Sequence, residues 1–177
     1  MNALQVAVSM AFVGILSVII AWIVNTQAQI VFEEEAKAAA EALLASVVNQ
    51  LRVGASTASI SGVYSFTQQI SLPYYSPPFD AFYYAITIRN EQGVLVVYIS
   101  FEAYRGRASA YVDISKAVYN ISALYKPEGY VQIYADLGES YNCRVGDVVN
   151  LTRAGCYVKW AMPSPYTVRK VQFIVGS

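Results

Sequence analysis

The sequence predicts an α+β fold, in which one long N-terminal helix precedes an antiparallel, β-sandwich-like globular domain. No charged side chain occurs from Met1 to Phe32, and this apolar run exceeds the ~20 residues that span a bilayer as a helix. After Gly54 the pattern changes to the period of two that is typical of strands. We therefore predict a long helix at 1–53 and a β-rich extracellular domain at 54–177.

The first half of the helix is apolar on every side, so it needs lipid or other apolar helices around it. Its small side chains recur at spacings of three and four residues, which lets another helix backbone approach closely. A plain lipid-facing anchor, with this distribution arising by chance, is the alternative. We favour packing among copies of the chain. The predicted assembly positions, including one methionine that fills a gap in the series, are Ala3, Ala7, Met10, Gly14, Ser17, Ala21 and Ala28.

The apolar start of the chain has no basic flank, although Lys and Arg normally orient a membrane helix. A secretory signal peptide would open with basic residues and carry a shorter apolar stretch. We therefore expect a mature chain from which a basic leader has been removed.

The helix is predicted to continue through Glu33–Arg52, which lacks Pro and Gly and is rich in good helix formers. Gly54 is expected to end it. The acidic run Glu33–Glu35 is expected to be solvated, with paired burial between subunits as the alternative. One apolar face suits docking on a globular domain, and it comprises Ala36, Ala40, Leu43, Leu44, Val47, Val48 and Leu51.

The remainder holds short runs rich in Val, Ile, Tyr and Phe. A hairpin turn is predicted at Asn90–Gly93, and the prolines fall between the runs. The segment Ser115–Tyr125 suits a helix or a strand about equally. The candidate strands are Ile60–Leu72, Ala81–Arg89, Val94–Glu102, Ala108–Ile114, Gly129–Leu137, Val145–Leu151, Cys156–Ala161 and Tyr166–Val175.

Composition argues against several classes of function. Basic and acidic residues number 12 each, so no bulk attraction to nucleic acid is expected. Histidine is absent, which removes the usual general base and the commonest metal ligand. We predict no catalytic, cofactor-binding or metal site. The carboxylates that would suit a calcium site or a glycosidase pair only if they gathered in space are Asp80, Asp113, Asp136, Glu139 and Asp147.

Tyrosine is abundant, with 15 copies. Because Tyr pairs well across strands, we interpret it mainly as sheet surface and interface. A surface for carbohydrate or aromatic ligands is the alternative. The basic turn Tyr104–Arg107 is the nearest feature to an anion site, and we expect it to be a solvated loop.

Cys143 and Cys156 lie in a polar segment far from the helix. In an exported protein they most simply form one disulfide that closes a short loop, whereas free thiols would suit a reducing compartment. N-glycosylation triplets begin at Asn120 and Asn150. A plain polar loop is the alternative at each asparagine.

The apolar helix and the Tyr-rich β domain that follows it resemble the type IV pilin superfamily, and most closely the archaeal type IV pilins. Bacterial type IV pilins usually carry Glu at the fifth mature position, where this chain has Gln5; archaeal pilins generally lack that acid. Archaellins share the architecture but usually open with a Gly-rich apolar motif, which Met1–Gln5 does not match. The resemblance therefore implies an adhesive or structural pilus.

The resemblance also implies the partners. A leader peptidase removes a basic leader, and the helix waits in membrane lipid. An ATPase-driven assembly machine then extracts subunits into a helical homo-polymer on the cell surface, with the helices in the core and the β domains, often glycosylated, outside. The alternatives are an archaellin, a single-pass membrane-anchored binding module and an anchored exported enzyme.

Overall fold

The computed structural model describes residues 2–71, 79–126, 129–161 and 168–176. It shows the predicted α+β fold, with one long N-terminal helix followed by two antiparallel sheets. The chain divides into two compact units, Met1–Glu35 and Ala36–Ser177. From Ala3 onward the first unit is helical, and the second contains the rest of that helix and all of the strands among the described residues.

Helix α1 runs from Ala3 to Ala58, so the prediction that Gly54 ends it is wrong. A side chain at Gly54 would place its Cβ 2.7 Å from Cε2 of Phe173. The glycine therefore permits close packing of the helix on a strand, and it does not stop the helix. The hydroxyl of Ser59 donates to the carbonyl of Ala55 at the actual end (2.8 Å), and Gly62 follows with φ +83°.

The predicted apolar face of the second half of α1 is confirmed, and Ala55 and Ala58 extend it toward the end of the helix. Polar side chains beside this face tie the helix to the β domain. The amide of Gln50 donates to the carbonyl of Ser71 (2.7 Å) and accepts from its N–H (2.9 Å). The residues of the predicted face, all buried, are Ala36, Ala40, Leu43, Leu44, Val47, Val48 and Leu51.

All described strand pairs are antiparallel. The first sheet has the order β1-β11-β6-β9-β8, with β5 beside β6, and the second has the order β4-β3-β2-β10-β7. The strands are β1 (Ser65–Ile70), β2 (Ala81–Glu91), β3 (Val94–Arg105), β4 (Ala108–Asn120), β5 (Tyr125–Lys126), β6 (Gly129–Asp136), β7 (Ser140–Tyr141), β8 (Arg144–Val145), β9 (Val148–Asn150), β10 (Tyr157–Ala161) and β11 (Arg169–Gly176).

Two of the predicted strands have bounds that differ from those of the observed strands. The run predicted at Ile60–Leu72 forms a strand only from Ser65, because the turn that follows the helix and contains Gly62 occupies its start. The run predicted at Val145–Leu151 is a hairpin of β8 and β9 that turns at Gly146, whose φ is +60°. A tight turn with a left-handed residue interrupts what reads as one apolar run.

The ambiguous segment Ser115–Tyr125 continues β4 as far as Asn120 and then forms a single 3₁₀ turn at Ile121–Leu124. The helical alternative for it is therefore wrong. Long-range pairing with β3 decides the outcome where local propensity does not. The described residues exclude the start of the last predicted strand at Tyr166 and the prolines, which are Pro73, Pro77, Pro78, Pro127, Pro163 and Pro165.

The predicted hairpin at Asn90–Gly93 is confirmed. Glu91 pairs with Val94, and the two turn residues Gln92 and Gly93 both have positive φ, at 52° and 90°, as two-residue hairpin turns require. Asn90 is the one polar side chain that is buried among the described residues. Its amide donates to the carbonyl of Leu151 (3.0 Å) and accepts from the N–H of Gly93 (2.8 Å). These bonds satisfy the buried amide and hold the hairpin against a neighbouring loop.

Candidate assembly interface

The apolar half of α1 is exposed along its whole length in the isolated chain. Residues 2–28 are all exposed, and none of them is charged. Trp22, for example, is 68% exposed. By length and composition this helix could cross a membrane, and a signal sequence would pass the same test. Contiguous apolar surface on this scale marks a region that another apolar phase covers.

The predicted assembly positions share one face of this exposed helix, because their spacing alternates between four and three residues. Gly14 is informative among them, because a Cβ added there would meet nothing within 4 Å. Packing within the described chain therefore does not require a glycine at this position. All of these positions are exposed, and they are Ala3, Ala7, Met10, Gly14, Ser17, Ala21 and Ala28.

Two hydroxyl groups of the apolar half are satisfied inside the helix. Ser17 Oγ donates to the carbonyl of Val13, and Thr26 Oγ1 donates to that of Trp22, each at 2.9 Å. Gln29 Nε2 donates to Glu33 at the start of the charged segment (2.8 Å). Because the hydroxyls of Ser17 and Thr26 already donate within the helix, burial of the helix in lipid or among other helices leaves neither of these donors unsatisfied.

The predicted disulfide is confirmed. Cys143 and Cys156 are bonded, with their Cα atoms 5.7 Å apart, and they join the turn after β7 to the start of β10. Asn142 reinforces the link, because its Oδ1 accepts from the N–H of Tyr157 (2.7 Å) and its Nδ2 donates to the carbonyl of Gly155 (3.0 Å). Covalent and hydrogen bonds thus fix the same two segments.

The two predicted glycosylation asparagines lie in different surroundings. Asn120 is exposed at the end of β4. Asn150 is half-buried in β9, and its Oδ1 accepts from the N–H of Thr152 (2.9 Å). The hydroxyl of Thr152 in turn accepts from the N–H of Ile133 (2.8 Å). Accessibility therefore favours Asn120 as an acceptor, and attachment of a sugar at either residue stays a prediction.

The basic turn between β3 and β4 is held by an acidic residue of the same chain. Asp80 accepts from the N–H of Gly106 (2.6 Å), and the guanidinium of Arg105 lies 5.9 Å from the ring centre of Phe79. Arg107 is exposed, as expected for a solvated turn.

The carboxylates considered from the sequence have separate structural contacts. Asp136 accepts from the N–H of Lys170 (2.8 Å), and Asp147 lies 3.8 Å from Arg144. Within the described ranges, no group of three or more His, Cys, Asp or Glu residues could hold a metal ion.

Sequence reasoning missed how the tyrosines are arranged on the second sheet. Tyr98 donates to Glu91 (2.5 Å), and Tyr104 donates to Glu102. The hydrogen bond to Glu91 is the main cause that raises the pKa of the Tyr98 phenol. The composition revealed many tyrosines, but only the strand register shows that they alternate with carboxylates on one face.

No protein-family model, no curated protein and no solved structure matches this chain. Its function must therefore be inferred from its own residues and geometry.

Proposed function

We propose that this chain is the structural subunit of an extracellular type IV pilus-like filament, which polymerises through the apolar half of α1 and serves in adhesion. The observation that carries this proposal is the complete exposure of an uncharged helix over residues 2–28. Each Å² of apolar surface removed from water stabilises by roughly 25 cal/mol, so such a helix is strongly driven out of water. In a polymer, the helices of neighbouring copies can bury this apolar surface.

Close packing decides between lipid and other helices. Both environments are apolar, so moving the helix from one to the other changes little hydrophobic free energy. Helices gain from association when small residues let their backbones approach. The face that contains Ala7, Gly14 and Ala21 offers this approach, and it is fully exposed.

The β domain supports an extracellular location. The Cys143–Cys156 disulfide is typical of an oxidising compartment. Under the proposal, the helix lies in membrane lipid before assembly, and a leader peptidase and an ATPase-driven assembly machine are the partners that bring the subunit into the filament. The role of the chain is structural, and no catalytic step is assigned to it.

Electron microscopy of native material tests the proposal. Filaments sheared from the surface of cells that express the chain would be imaged in negative stain, and their protein identified by mass spectrometry. We expect this chain to be the main component of thin filaments. If the chain stays with the membrane fraction after shearing, and detergent extracts it only as single molecules, the proposal is wrong.

A single-pass, membrane-anchored binding module is the second candidate. The length and composition of α1 favour it, because they meet the requirement for a membrane span. It differs from the filament subunit in leaving the small-residue face without a partner. The fractionation experiment separates the two, because only the filament subunit leaves the cell by shearing.

A further inference from the structure

A shallow polar trough crosses the solvent-facing side of the second sheet. Ala85, Ser100 and Asp113 lie side by side on β2, β3 and β4, and Ser100 and Asp113 form the floor of the trough. The next row consists of Thr87, Tyr98 and Ser115. The trough has a volume of about 480 Å³.

Larger side chains form the next row of the sheet on the other side of the floor. The row there contains Tyr83, Glu102 and Tyr111, and Tyr111 is 66% exposed. Tyr111 also hydrogen-bonds to Asp113 and Ser100. Tyr98 therefore lines the trough, and Tyr111 lies beside it, two residues from Asp113 on the same face of β4.

The polar groups of the trough alternate in charge. Arg89 lines it and lies 3.9 Å from Glu91, while Asp113 lines it from β4. An anion would meet the carboxylate of Asp113, and a cation would find no cluster of three acidic side chains among the described residues. The complementary ligand is therefore uncharged and carries both hydrogen-bond donors and acceptors.

We infer that this trough binds a neutral saccharide chain. A sugar ring presents an apolar C–H face, which suits the half-buried ring of Tyr98 and the exposed ring of Tyr111. Its hydroxyl groups suit the carboxylate of Asp113 and the guanidinium of Arg89. Each guanidinium offers several N–H donors and each carboxylate several acceptor positions. Neighbouring hydroxyls of one sugar can therefore be bound together.

A weak site of this kind gains strength when it is repeated. The trough is open and shallow, so one copy is expected to bind with a dissociation constant of about 1 mM. Many copies on one polymer would raise the avidity by roughly 100-fold or more without any new contact. Only this amplification rests on the proposed function, because binding to a single subunit does not require the filament.

Glycan binding by the full-length chain in detergent micelles tests the inference. The labelled chain would be applied to an array of neutral gluco-, manno- and galacto-oligosaccharides, with sialylated and sulfated versions beside them. Saturation-transfer NMR with the best neutral ligand would then measure affinity. We expect neutral ligands to be preferred, and we expect Tyr98→Ala and Asp113→Ala each to weaken binding by about 10-fold or more.

Two further variants make the result decisive. Tyr64→Ala removes a tyrosine that is 63% exposed but lies outside the trough, and it should leave binding unchanged. Asp113→Asn keeps the shape of the side chain and removes its charge, so a loss of binding in a variant with unchanged circular dichroism reports on the trough itself.

Three results would overturn the inference: preference for the charged glycans, no saturation by any neutral oligosaccharide up to about 10 mM, or equal losses in the trough variants and Tyr64→Ala. The imaging of sheared filaments is independent of these measurements. Filaments whose subunits bind no neutral sugar would leave the proposed function standing, whereas sugar-binding subunits that never polymerise would remove the proposed function alone.

Discussion

At the scale of single residues, Gly54 shows two opposing effects on stability. Replacing it by Ala improves helix propensity by roughly 1 kcal/mol, but the new Cβ would lie 2.7 Å from the buried ring of Phe173 and 3.2 Å from Cβ of Gln68. Overpacking of this kind usually costs about 1–3 kcal/mol. We expect Gly54→Ala to lower the free energy of unfolding, as measured by urea denaturation of the full chain in detergent. Val53→Ala, at an exposed neighbour, should change it by less, and a stabilised Gly54→Ala variant would contradict the close packing.

For a substitution of Tyr119 we expect no loss in the free energy of unfolding. Its hydroxyl is buried and has no hydrogen-bond partner among the described residues, and burial raises the pKa of this phenol. Tyr119→Phe removes a polar atom whose burial costs about 1 kcal/mol or more. We expect this variant to be as stable as the parent chain or more stable, in the same denaturation assay. Tyr98→Phe is the matched control, because it removes a hydroxyl that donates to Glu91. A loss of stability in Tyr119→Phe larger than in Tyr98→Phe would show that the buried hydroxyl has a partner.

At the scale of the elements, the disulfide links the turn after β7 to β10 across 13 positions of the sequence. Closing a loop of this size stabilises a protein by about 3 kcal/mol, chiefly by restricting the unfolded chain. We expect the double variant Cys143→Ser, Cys156→Ser to lose about 2–3 kcal/mol, measured by denaturation under oxidising conditions. The hydrogen bonds of Asn142 should preserve the local fold. The parent chain under dithiothreitol serves as the control and should match the double variant; a difference between them would show that Ser fails to mimic the reduced thiols.

For the face of α1 that contains Ala7, Gly14 and Ala21, we predict the effect of a bulky side chain on assembly. Gly14→Leu adds bulk where nothing in the described chain lies within 4 Å, so the subunit should fold and enter membranes normally. It should nevertheless reduce the yield of sheared filaments by roughly 10-fold, because the backbones can no longer approach. Leu16→Phe adds bulk about 200° away around the helix, at a side chain that is also exposed, and should be tolerated better. Equal yields from both variants would show that this face does not pack.

Some elements could be predicted from sequence and others could not, for physical reasons. The buried face of α1 was predictable because helical periodicity records which side is covered. The hairpin at Asn90–Gly93 was predictable because its turn chemistry is local. The role of Gly54 was not, because its close neighbour Phe173 is distant in sequence. The secondary structure of Ser115–Tyr125 likewise depended on pairing with β3, which local propensity does not predict.

The candidate sites divide in the same way. The exposed apolar half of α1 could be found from composition alone, because a run without charge is apolar on every side. The trough could not be found, since it requires the cross-strand register that brings Ser100 beside Asp113 and Tyr98 beside Ser115. A count of tyrosines carries no information about which of them share a face.

At the scale of the whole molecule, tyrosines make stability sensitive to alkaline pH. Burial raises the pKa of Tyr84 to about 12 from its ordinary value of 10.0, so between these values the folded chain holds a proton that the unfolded chain releases. The contribution is fully present below pH 10 and is lost as pH rises toward 12. We expect the free energy of unfolding to be flat up to about pH 10 and to decline above it, as measured by denaturation across a pH series.

Substitution of this residue provides the control for that decline. Tyr84→Phe removes the ionisable group while keeping the ring that stacks near Phe82. The decline above pH 10 should become shallower in this variant. An unchanged slope would assign the alkaline sensitivity to other groups.

The disulfide also offers a way to follow the maturation of the chain. Both cysteines of the chain are consumed in it, and both lie after β7, late in the order of synthesis. A finished molecule consequently has nothing for an alkylating dye to react with, whereas a molecule that is still maturing has two reactive sulfurs. If the proposed function holds, brief exposure of intact cells to such a dye would label, among copies of this chain, only those whose disulfide has not yet formed, and would reveal where on the cell they are being completed.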